Sequence, residues 1–148
     1  MQRILILDKH EVGVLIFDSG KFNPATPAIG CLFGGDRFGC IDEAVVLEVD
    51  GEIVGLATIA PRGEERSGQP TIVGLYARHE WRGNGYGYRL MMAAIDRMRE
   101  RGLPKPYRAD AISSPGFRVC QGLPEEYQVD LDICDMSMDG MLDIVMLI

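Results

Sequence analysis

The spacing of apolar positions along this chain of 148 residues changes several times, and each change predicts an element. The run "RILILD" at 3–8 is short and β-branched enough for a strand, and "GVLIF" at 13–17 follows as a second strand or a helix, with no period to choose between them. In "AVVLEVDGEIVGLATIA", 44–60, two apolar runs meet at Asp50-Gly51, a pair that readily takes the positive φ angles of a tight turn. An antiparallel hairpin is predicted there. A polar, proline-bounded loop, "PRGEERSGQP", then leads to a third strand, "TIVGLYA", at 71–77.

Beyond it the period lengthens. Leu90, Met91, Ala94, Ile95 and Met98 fall on one face of a helix predicted over 85–101, with Arg89, Arg97 and Arg99 turned to water and Gly102 and Pro104 as stop signals. "YRADAIS" reads as a strand, "PGFRVCQGLP" as a turn or short helix, and "YQVDLDI" alternates with the period of a half-buried strand. A second hairpin is expected around Asp139-Gly140. Between Ser19 and Ile41, glycines and prolines deny a regular helix while aromatics and cysteines deny a solvated linker, so an ordered, irregular segment is expected. The length and the balance of apolar and charged residues fit one compact domain over 1–148.

Between the third strand and the helix stands "HEWRGNGYGYRL", 79–90. A helix N-terminus carries four backbone amides without intrahelical partners and a partial positive charge, so it takes an anion readily. Glycines at 83, 85 and 87 remove side chains that would hold a phosphate away, and Arg82 adds a fixed charge at the rim. Strand, glycine loop and helix together suit a pyrophosphate. No Lys-Ser/Thr pair follows the last glycine, which excludes a P-loop, and the spacing is not that of the dinucleotide fingerprint.

Charge and cysteines narrow the class. A net charge of −7 argues against nucleic acid and anionic membranes as partners, since both need a basic surface. Cys31, Cys40, Cys120 and Cys134 lack metal-site spacing, and with two histidines in the chain no metal is expected. The opening residues lack the pattern of a secretory signal and no apolar run spans a bilayer, so reduced thiols and a cytoplasmic location are expected.

The stretch from Leu75 to Met91 resembles motif A of the GNAT N-acetyltransferases, whose R/Q-x-x-G-x-G/A core is met by Arg82, Gly83, Asn84, Gly85, Tyr86 and Gly87. The resemblance is good from Ala44 to Arg101 and loose elsewhere. It implies an α/β (α+β) fold with a mixed, mostly antiparallel sheet, a splayed strand pair near Ala77 and a central coenzyme-binding helix. It also implies acetyl-CoA as cosubstrate and an amine of a small molecule or a protein as acceptor. Amides from Arg82 to Gly87 would hold the pyrophosphate, and the strand edge at Leu75, Tyr76 and Ala77 would take the pantetheine. Ser113 falls at the asparagine of the family's later N-x-x-A-x-x-L-Y pattern and is counted with the coenzyme contacts. Cys120 falls where that pattern places its tyrosine acid.

A departing thiolate needs a proton and an ammonium must lose one. Cys120 and, as the nearest alternative phenol, Tyr127 are the candidate acids and Glu48 the candidate base; a core thiol for Cys120 and an outward-facing carboxylate for Glu48 are the plain alternatives. Asp36, Asp42 and Glu43 suit a cationic amine by charge alone. Departures from the later motif also admit a module that keeps coenzyme binding and has lost chemistry. The apolar, β-prone "MLDIVMLI" at 141–148 favours a homodimer that covers a strand edge.

Overall fold

The computed structural model describes residues 1–18, 41–63, 68–111 and 114–133. The elements are β1 (Gln2–Asp8), α1 (Lys9–Asp18), β2 (Glu43–Val49), β3 (Glu52–Ala60), β4 (Thr71–Ala77), α2 (Tyr86–Glu100), β5 (Arg108–Ala111), α3 (Ser114–Gln121) and β6 (Asp130–Ile133). One-turn helices at His79–Trp81 and Glu125–Tyr127 precede α2 and β6. Most of the segment 19–41, the second hairpin and the apolar stretch 141–148 lie outside the described residues.

The strands form one sheet in the order β1-β2-β3-β4-β5-β6. β1 to β4 are antiparallel neighbours, whereas β5 is parallel to both β4 and β6. The mixed, mostly antiparallel sheet is the expected one. Asp50 and Gly51 take φ of 51° and 84°, so both turn residues of the β2-β3 hairpin are left-handed, as the sequence pair predicts.

"GVLIF" belongs to a helix, and its start explains why. The Asp8 carboxylate accepts from the Glu11 amide at 2.9 Å while Glu11 accepts from the Asp8 amide at 3.1 Å, a reciprocal capping box that opens α1. α2 runs from Tyr86 to Glu100 with Gly85 and Arg101 as its caps. It ends in a Schellman turn: Leu103 donates to Met98 O and left-handed Gly102 to Arg99 O.

Leu90, Met91, Ala94, Ile95 and Met98 are all buried, as the periodicity predicts. They form one core with Val45, Leu47, Ala57 and Ile59 of the sheet, each side chain of this size contributing about 1.5–3 kcal/mol on burial. A second apolar layer on the opposite face gathers Val12 of α1 with Ile41, Val46, Leu56 and Val73. Arg97 and Arg99 differ from expectation. Arg97 pairs with Glu43 at 2.8 Å, neighbouring Arg101 holds Asp42 at 2.7 Å and Glu43 at 3.1 Å, and Arg99 bonds the Glu126 carbonyl. Asp42 and Glu43 are therefore engaged in fastening α2 to the start of β2, and not offered to an amine.

Gly55 of β3 lies beneath α2. A Cβ there would stand 2.6 Å from Tyr76 O and 2.8 Å from Leu90 Cδ1. Gly55→Val should therefore lower unfolding free energy by about 1–3 kcal/mol, read from urea denaturation. An unchanged midpoint would show that helix and sheet are not in close register at this point.

Candidate functional site

β4 and β5 pair only at Thr71↔Arg108 and Ile72↔Ala109. From Val73 onward the strands part, so the splay expected near Ala77 begins four residues earlier and leaves Val73–Ala77 facing a gap on the β5 side. A bulge in the β3-β4 register between Thr58 and Ile59 bends β4 at this point.

Past β4, two arginines hold the loop to the sheet and one asparagine braces the loop on itself. Arg78 bonds Glu52 and the Ile53 carbonyl, each at 3.2 Å, pairs with Glu80 at 2.5 Å, and donates its amide to Val54 O at 2.7 Å. Arg82 Nε donates to Ala77 O at 2.9 Å, with its guanidinium 5.6 Å from the centre of the Tyr76 ring. Asn84 donates to Trp81 O at 2.8 Å. These bonds consume carbonyls and leave amides: none of the amides from Gly83 to Tyr88 donates to a described residue, and Gly85 caps α2 without a side-chain bond.

Gly83 and Gly85 have φ of 86° and 76°, and a Cβ on either would meet nothing within 4 Å. Backbone conformation asks for glycine here, and the space in front stays open. Gly87 has another reason. Its Cβ would stand 3.0 Å from Val119 Cγ2, so its bareness lets α3 approach α2. Tyr86 faces Trp81, ring centres 6.4 Å apart, and the buried Trp81 Nε1 has no hydrogen-bond partner among the described residues.

The remaining candidates scatter. Leu75 packs toward α2 and Tyr76 toward the α1 layer. Ser113 lies outside the described residues. Tyr127 donates to Asp96 at 3.2 Å and lies 4.8 Å under Arg99, alongside the second half of α2. Asp96 is about 15 Å along the helix axis from Tyr86, which keeps this phenol away from the loop. Hydrogen bonding to Asp96 also raises its pKa, making it a weaker acid. Glu48 pairs with Arg3 at 2.9 Å on the β1 side of the sheet and does not reach the splay. Cys120 sits in the core beneath α2, its thiol pushed up to about 11 by burial.

The acetyltransferase (GNAT) family model matches residues 26–113, more than half of the chain. The chain belongs to the GNAT acetyltransferase family. Among curated proteins none matches it. Solved GNAT structures share its fold. A ribosomal-protein-alanine N-acetyltransferase from Brucella melitensis biovar Abortus 2308 is 17% identical with a TM-score of 0.56, covering 93% of this chain and 98% of that one. AAC(6')-Iy, in complex with the bisubstrate analogue CoA-S-monomethyl-acetylneamine, is 18% identical with a TM-score of 0.57 over 84% and 92% of the two chains. A predicted acetyltransferase with acetyl-CoA from Clostridium acetobutylicum is 18% identical with a TM-score of 0.53 over 97% and 98%.

GNAT enzymes use acetyl-CoA, and the residues of this chain fit the coenzyme. Open left-handed glycines, uncapped amides at the head of α2 and an unladdered β4 edge supply donors for phosphate and for amide groups without rearrangement.

Cys120 supplies a pH test. Its pKa is raised from 9.0 to about 11, so folding disfavours the thiolate: its contribution is complete below pH 9 and is lost as pH climbs toward 11. The stability difference between the wild type and Cys120→Ala should narrow by on the order of 1–2 kcal/mol between pH 8.5 and pH 10.5 in urea denaturation. A constant difference would mean that water reaches the thiol.

Proposed function

We propose that this single GNAT domain transfers the acetyl group of acetyl-CoA to a primary amine by direct attack. The observation that carries the reading is the run of amides from Gly83 to Tyr88 at the mouth of α2 that donate to no described residue, behind two glycines with no described atom in front. In this reading those amides and the rim charge of Arg82 hold the pyrophosphate. The β4 edge at Leu75, Tyr76 and Ala77 pairs with the pantetheine as an added strand would.

The bound coenzyme supplies a thioester carbon open to attack. The chain supplies a fixed backbone amide on the parted stretch of β4, aimed at the oxyanion that forms when an amine adds. Such a donor stabilises the transition state more than the ground state because it needs no reorganisation. The neighbours' names point to acceptors as different as a ribosomal protein's alanine and an aminoglycoside-like neamine, so the acceptor class here stays at a primary amine. A homodimer and a cytoplasmic location, where acetyl-CoA and reduced thiols are supplied, complete the proposal.

One observation favours a second reading, a coenzyme-binding module without turnover. Among the described candidate acids and bases, Tyr127 and Glu48 lie away from the splay and Cys120 is buried with its pKa at about 11.

Thermal shift with acetyl-CoA, coenzyme A and ATP, followed by thiol release with an amine panel, separates the two. A coenzyme at 100 times its Kd should stabilise the protein by about 2.7 kcal/mol, and ATP should do less. Thiol release supports the enzyme; coenzyme stabilisation without release across the panel supports the module. Arg82→Ala, which removes the bracket to Ala77 O together with the rim charge, should weaken coenzyme binding by about 1.5–3 kcal/mol. An unchanged affinity would make Arg82 a solvated rim residue.

A further inference from the structure

Most of the described arginines answer a carboxylate. Arg3, Arg78, Arg97, Arg99, Arg101 and Arg108 each pair with an aspartate or glutamate. Arg82, Arg89 and Arg118 pair with no acid among the described residues, although the chain carries a net charge of −7 and acids outnumber bases. Arg62, just past β3, is the other described arginine without one. It stands at the end of the sheet away from the glycine loop, since Ala60 lies opposite Thr71 at the start of β4 while the loop follows the end of β4.

The other three are gathered at one end of α2. Arg82 lies in the loop, and the Arg89 amide donates to Gly85 O at 3.3 Å, so Arg89 stands one helical turn above the left-handed glycine. α3 lies against the same turn: Gly87 leaves room for Val119, and a Cβ on Gly122 would stand 2.6 Å from the Tyr88 hydroxyl. The Gly122 amide donates to Arg118 O at 3.1 Å, which puts Arg118 one turn back from Gly122 on the side of α3 that Tyr88 meets. Arg89 and Arg118 are both exposed. Like charges gathered at one end of a fold repel one another, and an anion between them relieves the repulsion.

We propose that Arg89 and Arg118 form a second phosphate site, contributed by two different helices, that takes the 3′-phosphate of coenzyme A and makes the protein prefer coenzyme A to dephospho-coenzyme A. This inference rests on the coenzyme reading above and adds to it a contact with the adenosine end. The ribose that bears the 3′-phosphate is joined directly to the pyrophosphate. With the pyrophosphate on the loop amides, a phosphate a few bonds further on is within reach of a side chain one turn along α2, a rise of about 5.4 Å. A phosphate monoester carries about −1.5 to −2 charges at neutral pH and three acceptor oxygens, which suits two guanidinium forks better than one. The thioester lies at the opposite end of the coenzyme, so this pair sets which coenzyme is held and takes no part in the transfer of the acetyl group.

The test is calorimetric titration of the full chain with coenzyme A and with dephospho-coenzyme A, which differ only in the 3′-phosphate. The wild type should bind coenzyme A more tightly by about tenfold or more. Arg89→Ala and Arg118→Ala should each cut that preference by about threefold or more, and the double variant should bind the two coenzymes alike, with its affinity for dephospho-coenzyme A within about twofold of the wild type. Adenosine 3′,5′-bisphosphate should displace coenzyme A from the wild type and compete about tenfold less well in the double variant. Arg62→Ala removes the same charge at the other end of the sheet and should leave the preference intact, which separates a site from a change in net charge. Both target side chains are exposed, so the apo melting temperature should hold; should an alanine variant fail to fold, Arg89→Gln or Arg118→Gln carries the same comparison. Equal affinity of the wild type for the two coenzymes would overturn the proposal, and so would a preference that survives in the double variant or variants that weaken both coenzymes by the same factor. A wild type that binds neither coenzyme would defeat the coenzyme reading itself, and this inference with it.

Discussion

The short ladder between β4 and β5 is the constraint on which the rest of the site depends. Two register pairs join the strands at Thr71 and Ile72, and then the backbone of β4 continues with a gap where a neighbour would be. A strand edge inside a protein is costly unless its amides and carbonyls find partners, so a parted pair invites an occupant that offers amide groups of its own. The same parting gives α2 a place to begin. Its head follows β4 through the glycine loop and has no side-chain cap.

Holding that arrangement takes charge as well as packing. Arg78 ties the start of the loop to β3, and Arg97 with Arg101 ties the far end of α2 to Asp42 and Glu43. Exposed ion pairs contribute little, but here Glu43 is only 12% exposed and meets two guanidinium groups. Both ends of the helix are thereby fixed relative to the sheet, while apolar contact fixes its middle. Glycines decide how close the partners come: Gly55 admits Leu90, Gly87 admits Val119, and Gly122 admits the Tyr88 ring.

Much of this was legible beforehand where one local signal dominated. Asp50-Gly51 has few conformations to choose from, and the apolar stripe of α2 has an unambiguous period; both were read correctly. α1 was left open because "GVLIF" is apolar all along, yet the capping pair three residues apart, Asp8 and Glu11, was available upstream. The loop at the head of α2 was legible because positive φ leaves its mark as glycine. The acid and base candidates were not, since a side chain's distance from the loop depends on how far along α2 its partner lies, and Tyr127 shows this through Asp96. The buried Arg108–Asp110 pair was not among the candidates. Opposite charges two apart on a strand share one face, and that pattern was the available sign of a buried pair.

The chain contains a single tryptophan, and it stands in the one-turn helix that leads into the glycine loop. Trp81 is partly shielded, close to Tyr86, and its buried indole N–H has no partner among the described residues. All of the protein's indole emission therefore originates within a few residues of the left-handed glycines at the head of α2. The molecule carries its own optical probe at the head of α2, so titrations and stopped-flow traces can be followed there without a dye or an engineered label.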